Sequence, residues 1–337
     1  MSLVRPHLAE VLVGRVAFDR LLALARHLPA HGLGVIETRL ASRGTGSADF
    51  ALRLTAPDQA ADLAPRLPTS HLGTFLLSGW QDLGHPLPVA SVWLEFDLDR
   101  APRGLPEPVT CARLHGSWDA EWLVGKLLPA LHGRPLKASQ KRWLRRSLAE
   151  LPAAASVLYA FSLAARPGNA VRLEVCGLEP AAMVAYLDRW APAAGRQIAE
   201  IAPHVEGCDR YHLSFDVADD VSPRLGVECG FARLPHREPG WRQLLDRMVA
   251  SGLCDAAKRD AALAWPGSDS LWTTAARWPP EATSLGGHCV RCLSHVKLVS
   301  TPERPPEAKA YLIFEHVRRR AQVDGEPASR LSQPASA

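Results

Sequence analysis

Five times along this chain, two short stretches of alternating polar and apolar residues meet at a turn. Segments 34–40 (GVIETRL) and 48–55 (ADFALRLT) flank Ser42-Arg-Gly-Thr-Gly-Ser, and 91–99 (SVWLEFDLD) is followed by 109–115 (VTCARLH). Segments 156–164 (SVLYAFSLA) and 170–176 (AVRLEVC) flank Arg166-Pro-Gly-Asn. The last two pairs are 211–217 (YHLSFDV) with 224–232 (RLGVECGFA), and 290–300 (VRCLSHVKLVS) with 309–315 (KAYLIFE). A period of two bounded by Gly, Pro, Asn and Ser predicts β-hairpins. Helical signals fill the gaps. Segment 17–28 precedes the first hairpin with Leu21, Leu22, Leu24 and Leu28 on one face. Ser117 and Ser139 are positioned as N-caps of helices reaching about 131 and 151, and Pro180 sits in a first turn. That helix ends near Pro192, and the next runs to about 202. Gly252 stops a helix over 241–251, and Asp255 caps its successor. Segments 55–89 and 265–288 show no clear period.

Paired strands between helices exclude a doubly wound parallel sheet, in which single strands alternate with single helices. Ten antiparallel strands with helices on one face can close and so lose their edges. The expectation is α/β (α+β) in class: a closed antiparallel ten-stranded barrel of repeated ββαα units inside a ring of helices. It occupies 1–317 as one domain, with 318–337, rich in Gly, Pro, Ser and Ala, as a disordered tail. The strand faces agree. Val92, Leu94 and Phe96 oppose Trp93, Glu95 and Asp97; Leu173 and Val175 oppose Arg172 and Glu174; Leu213 and Phe215 oppose His212, Ser214 and Asp216. With the apolar faces under the helices, the polar faces line a lumen too wide for side chains alone to fill. The alternative is an open sheet whose polar face is solvated.

Composition narrows the partners. The 337 residues are 47% hydrophobic, enough for a large core, and carry a net charge of +4. No concentrated basic surface marks a nucleic-acid binder, and no apolar run reaches membrane-spanning length. Seven cysteines without a framework, and an N-terminus lacking a signal-peptide core, read as cytoplasmic.

The cyclic ββαα order resembles the ABBA-type, or PT-barrel, aromatic prenyltransferases, as a divergent member. Three motifs are similar: Glu95 in Leu94-Glu-Phe-Asp97, Arg113 on the next strand, and Lys309-Ala-Tyr311. The fourth hairpin departs, with Tyr211-His-Leu-Ser-Phe-Asp216 where that family often places paired basic residues. The inward acids Glu37, Asp49, Asp97, Glu174, Asp216 and Glu228 also exceed what a diphosphate pocket needs. No Asp-Asp-x-x-Asp cluster is present. The resemblance implies transfer of a prenyl group from an allylic diphosphate to an aromatic or other nucleophilic acceptor, a small molecule or a peptide side chain. Secondary metabolism is the implied setting. No cofactor is required on this reading, with Mg²⁺ as an option and no metal ligands assigned.

Such chemistry needs fixed cations for the leaving group, and Arg39, Arg53, Arg113, Arg172, Lys297 and Lys309 are the inward candidates. Each of them can instead pair with an inward acid, Arg53 with Glu37 for example. Trp93 and Tyr311 are the aromatics expected to shield an allylic cation, whereas Tyr159 is expected under the helices. Glu95, and next Glu228 between Gly226 and Gly230, are the expected bases, the glycines opening room for a ligand. His212 is a further lumen candidate. Cys289-x-x-Cys292 with His288 and His295 has zinc-like spacing, but strict alternation sets Cys292 and His295 on opposite faces. Two other functions fit the same pattern. One is a cyclase or peptide-modifying enzyme that uses the lumen acids and His212. The other is a non-catalytic module binding a ligand or peptide.

Overall fold

The computed structural model describes residues 1, 3–28, 33–41, 46–55, 57–67, 72, 75–76, 89–98, 105–270, 287–302 and 304–317. The tail expected over 318–337 lies outside them, as does most of 68–88 and 271–286. The strands are β1 (Leu33–Arg39), β2 (Ala48–Leu54), β3 (Val89–Phe96), β4 (Val109–Leu114), β5 (Ser156–Ser162), β6 (Val171–Cys176), β7 (Arg210–Val217), β8 (Val221–Gly230), β9 (Gly267–Ser270), β10 (His288–Thr301) and β11 (Arg304–Val317). Consecutive strands from β1 to β8 pair in order; β8 pairs with β10, β10 with β11, and β11 with β1. All these pairs are antiparallel, so ten strands close on themselves. The four-residue β9, absent from the sequence expectation, extends one flank of β10.

Eight helices accompany the barrel among the described residues. They are α1 (Arg15–Ala25), α2 (Pro57–Leu63), α3 (Ala120–Trp122, the π-helical turn Leu123–Leu127, then Leu128–His132), α4 (Ala138–Ala149), α5 (Pro180–Asp188), α6 (Pro192–Val205), α7 (Gly240–Ala250) and α8 (Ala256–Ala264). The cap of α3 is Asp119, whose side chain accepts from the Trp122 N–H at 2.7 Å, and not Ser117. Helix α4 starts one residue before Ser139, whose hydroxyl meets Asp219 instead of capping.

One core lies between strands and helices. Ile36, Leu94, Leu173, Leu213, Leu298 and Leu312 point outward from the barrel against Leu21, Leu144, Ile198, Leu244 and Trp241, all fully or almost fully buried. Each such side chain contributes about 1.5–3 kcal/mol by leaving water. That outward apolar face fixes the register, because a one-residue slip would turn the core into the lumen.

Two β-bulges correct the inward set. The β5–β6 register shifts between Val157 and Tyr159, so Val157 joins the outer core while Tyr159 and Phe161 face inward. The Tyr159 expectation is thereby overturned. The β10–β11 register shifts between Leu293 and His295. Cys292 pairs with Ile313 and His295 with Tyr311, positions of one parity on β11, so both turn inward. Cys289 lies in the outer core, so the two cysteines of the zinc-like motif occupy opposite faces.

Candidate active site

The lumen can be described from the mouth at which β1, β3, β5 and β7 end. Here Arg39 donates to Glu307 at 2.9 Å and lies 3.8 Å from Asp49. Arg172 grips Asp216 in a bidentate pair at 2.5 and 3.0 Å, directly opposite across the β6–β7 ladder. From the β5–β6 turn, Arg166 holds Asp97 at 2.8 and 2.6 Å and comes within 3.9 Å of Glu95. Arg224 shares the inward parity of Gly226 and Glu228 and has no ion pair with any described residue. Its pKa is lowered by burial and by repulsion from Arg172 and Arg166. Four guanidiniums thus crowd one mouth, three of them held by carboxylates and one unmatched.

Deeper in, Lys309 donates to one oxygen of Glu37 at 2.5 Å and the Tyr311 hydroxyl donates to the other. Burial would raise the Glu37 carboxyl, but Lys309 and Tyr311 hold it well below the usual carboxylate range. Asp49, half-buried and facing Glu37 and Asp97, is pushed up to about 7 by desolvation and those carboxylates despite Lys309 and Arg39. Glu95 remains 28% exposed to the lumen. Burial raises its pKa against the pull of Arg166 and Arg172, which makes it a stronger proton acceptor than an ordinary carboxylate.

Aromatic faces line the same wall. Trp93, Tyr159 and Phe161 pack with Val109, Cys111 and Leu163, the Arg172 guanidinium lies 5.7 Å from the Phe161 centroid, and that of Arg53 lies 5.9 Å from Trp93. The Trp93 indole nitrogen is buried without a hydrogen-bond partner. Arg53 sits 3.5 Å from Glu315, toward the opposite mouth, and not on Glu37 as the sequence allowed. Arg113, across the ladder from Tyr159, faces inward at that end with no ion pair among the described residues.

The wall of β6, β7, β8 and β10 carries a second constellation. His212 Nδ1 lies 2.9 Å from Glu174 Oε1 and 3.6 Å from Glu228 Oε2. Lys297 Nζ donates to the other Glu228 oxygen at 2.8 Å. His295 stacks on Tyr311, with ring centroids 4.1 Å apart, and aims Nε2 at Glu228 Oε2 from 3.4 Å. Burial and repulsion by Glu228 raise Glu174, whereas Lys297, His295 and His212 together outweigh burial and lower Glu228. Burial would lower His212, yet its two carboxylate partners lift it to about 10; burial, with repulsion from His212 and Lys297, takes His295 down to about 4 against the pull of Glu228.

The six cations expected from sequence therefore do not make one pocket. Arg39, Arg172 and Lys309 gather toward one mouth, Lys297 stands across the β10–β11 ladder from Lys309 but pairs with Glu228, and Arg53 and Arg113 lie toward the other end. The room expected beside Glu228 is also filled. A Cβ on Gly226 would stand 2.6 Å from Lys297 Cε, so this glycine is where the lysine crosses the strand. A Cβ on Gly230 would stand 3.2 Å from the Ser294 carbonyl oxygen and from the Trp241 ring. Two mouth residues escaped sequence reading. Arg224 opens the expected strand 224–232, four residues before Glu228 on the same face, so its direction was legible there; Arg166 sits in a turn, where alternation assigns no direction.

No protein-family model and no curated protein matches the chain. Among solved structures, the apo form of the prenyltransferase PriB aligns over 84% of this chain and 80% of its own, with 14% identity and a TM-score of 0.47. The binary complex of PriB with product diphosphate aligns over 92% and 93%, with 13% identity and a TM-score of 0.47. The closed barrel of hairpins with outer helices, expected from the ABBA-type resemblance, is the architecture observed.

Proposed function

We propose that this chain is a prenyl-transferring barrel enzyme. The observation that carries the reading is the Arg166–Arg172–Arg224 group at one mouth beside the raised-pKa carboxyl of Glu95, with Trp93, Tyr159 and Phe161 on the adjoining wall. A diphosphate entering this mouth meets an unmatched guanidinium, and two more can reach it while keeping their carboxylates. As the allylic C–O bond breaks, the electron pair leaves with the diphosphate, and the arginines stabilise the charge that builds there. The aromatic faces shelter the allylic cation from water. The acceptor's π electrons form the new C–C bond, and Glu95 takes the ring proton. Mg²⁺ bound to the diphosphate would share the leaving-group charge.

The test is product formation. Purified protein is incubated with dimethylallyl, geranyl or farnesyl diphosphate and a panel of indole and phenol acceptors, then analysed by mass spectrometry. The expected result is one prenylated adduct class, falling at least about 100-fold with Glu95→Gln, in line with loss of a general base. No adduct from any donor, with the protein folded, removes the reading.

The Glu174–His212–Glu228 group favours a second reading, a cyclase or peptide-modifying enzyme that works by acid–base chemistry in the same lumen. On that reading His212→Gln abolishes activity, while Arg224→Ala spares it.

A further inference from the structure

The wall of β6, β7, β8 and β10 holds a group that the prenyl-transfer reading leaves unused. Glu174 and Glu228 are buried, 2% and 7% exposed, and each reaches toward the single Nδ1 of His212. His295 aims a buried Nε2 that has no hydrogen-bond partner at the same Glu228 oxygen. Its other ring nitrogen is engaged by Ser294 at 3.1 Å, and its ring is fixed against Tyr311. The orphan nitrogen is thus locked in its aim.

We propose that Glu174, His212 and Glu228 bind one divalent first-row transition ion, with zinc, cobalt, manganese or iron(II) as the fitting class, and that His295 stands at the rim of the site. The spacing supports this. For bonds of about 2.1 Å, donors on one ion lie about 3.0 Å apart at a right angle and about 3.4–3.6 Å apart at tetrahedral to trigonal angles. Glu174 Oε1 and Glu228 Oε2 lie 2.9 and 3.6 Å from His212 Nδ1. The Glu174, His212 and Glu228 ligand atoms all fall within 4.8 Å of one another. His295 Nε2, 3.4 Å from Glu228 Oε2, lies outside that group of three. The ion would replace the His212 Nδ1 proton, which leaves to solvent. An imidazole with two carboxylates favours borderline ions over Mg²⁺, which prefers oxygen and retains its water. Lys297 engages the far oxygen of Glu228 and so orients the ligating one. The ligands come from three neighbouring strands: His212 faces Glu228 across the β7–β8 ladder, and Glu174 lies on β6 two residues from the position that faces His212.

The test uses full-length protein stripped by chelator and contains no diphosphate, so its outcome is independent of the prenyl-transfer reading. Equilibrium dialysis against Zn²⁺, Co²⁺, Mn²⁺ and Mg²⁺ should give one tightly held Zn²⁺ or Co²⁺ per chain and at least ~100-fold weaker Mg²⁺. The Co²⁺ form should show a d–d spectrum without thiolate charge transfer. Glu174→Gln, which keeps volume and hydrogen bonding, should weaken binding about 10- to 100-fold. X-ray absorption of the zinc-loaded wild type requires no variant and should show nitrogen and oxygen neighbours with one imidazole. Absence of stoichiometric binding by all four ions, sulfur among the neighbours, or unchanged affinity in folded Glu174→Gln would each overturn the site.

Discussion

Arg172 and Asp216 illustrate what a charged lumen demands of single residues. Both side chains are below 10% exposed, and each is tolerable there because the other neutralises it through two hydrogen bonds. Removing one partner strands the other, so Arg172→Met should cost about 3–5 kcal/mol by urea unfolding, and the double change Arg172→Met with Asp216→Leu should recover most of it. Equal losses in single and double variants would refute the pairing. Asp49 gives a pH signature. Its pKa stands at about 7, above the ordinary 3.8, since burial and the facing Glu37 and Asp97 outweigh Lys309 and Arg39. A raised folded pKa means that its contribution is complete below the unfolded value and is lost as pH rises through the folded one. Asp49→Asn imitates the protonated acid at every pH and can still accept the Leu98 N–H, which is 3.0 Å away. At ~1.4 kcal/mol per pH unit, the variant should gain as much as about 4 kcal/mol over wild type at pH 8, and little at pH 4. A pH-independent difference would contradict this.

Elements decide which of these residues share a space. Alternation placed Glu37, Trp93, Glu95, Arg172, His212 and Glu228 on the inward side before any coordinates, because one face of every strand had to satisfy the helices. It failed where a strand carries an extra residue: the bulges beside Tyr159 and Cys292 shift the parity, and nothing in LYAF or CLSH announces them. Ion pairs were legible only as a pool of partners, since Arg53 selects Glu315 through barrel closure, which joins β1 to a strand more than 270 residues away. Gly226 tests the packing of one strand against another. A Cβ there would stand 2.6 Å from Lys297 Cε and 2.5 Å from Ser214 Oγ. Gly226→Ala should lower the urea midpoint by the equivalent of about 1–3 kcal/mol, the range for overpacking a tight site. An unchanged midpoint would mean that Lys297 does not take this route.

The molecule as a whole encloses its charge. Closure of β10 on β11 and of β11 on β1 leaves no open edge among these ten strands, while the helices take the apolar faces. The enclosed wall is therefore free to be polar, and it is divided: arginines crowd one mouth, and the Glu174–His212–Glu228 group lies on another wall. A lumen of this kind shields a reactive cation only if the diphosphate that releases it is bound at the arginine mouth. The decisive measurement is thermal unfolding of the wild type and Arg224→Ala with dimethylallyl, geranyl and farnesyl diphosphate, with and without Mg²⁺. Ligand at 100 times its Kd adds about 2.7 kcal/mol to the folded state, so one donor should raise Tm by a few degrees in the wild type and much less in Arg224→Ala. If none of the three raises Tm, the mouth is not a diphosphate site and the account of this lumen fails.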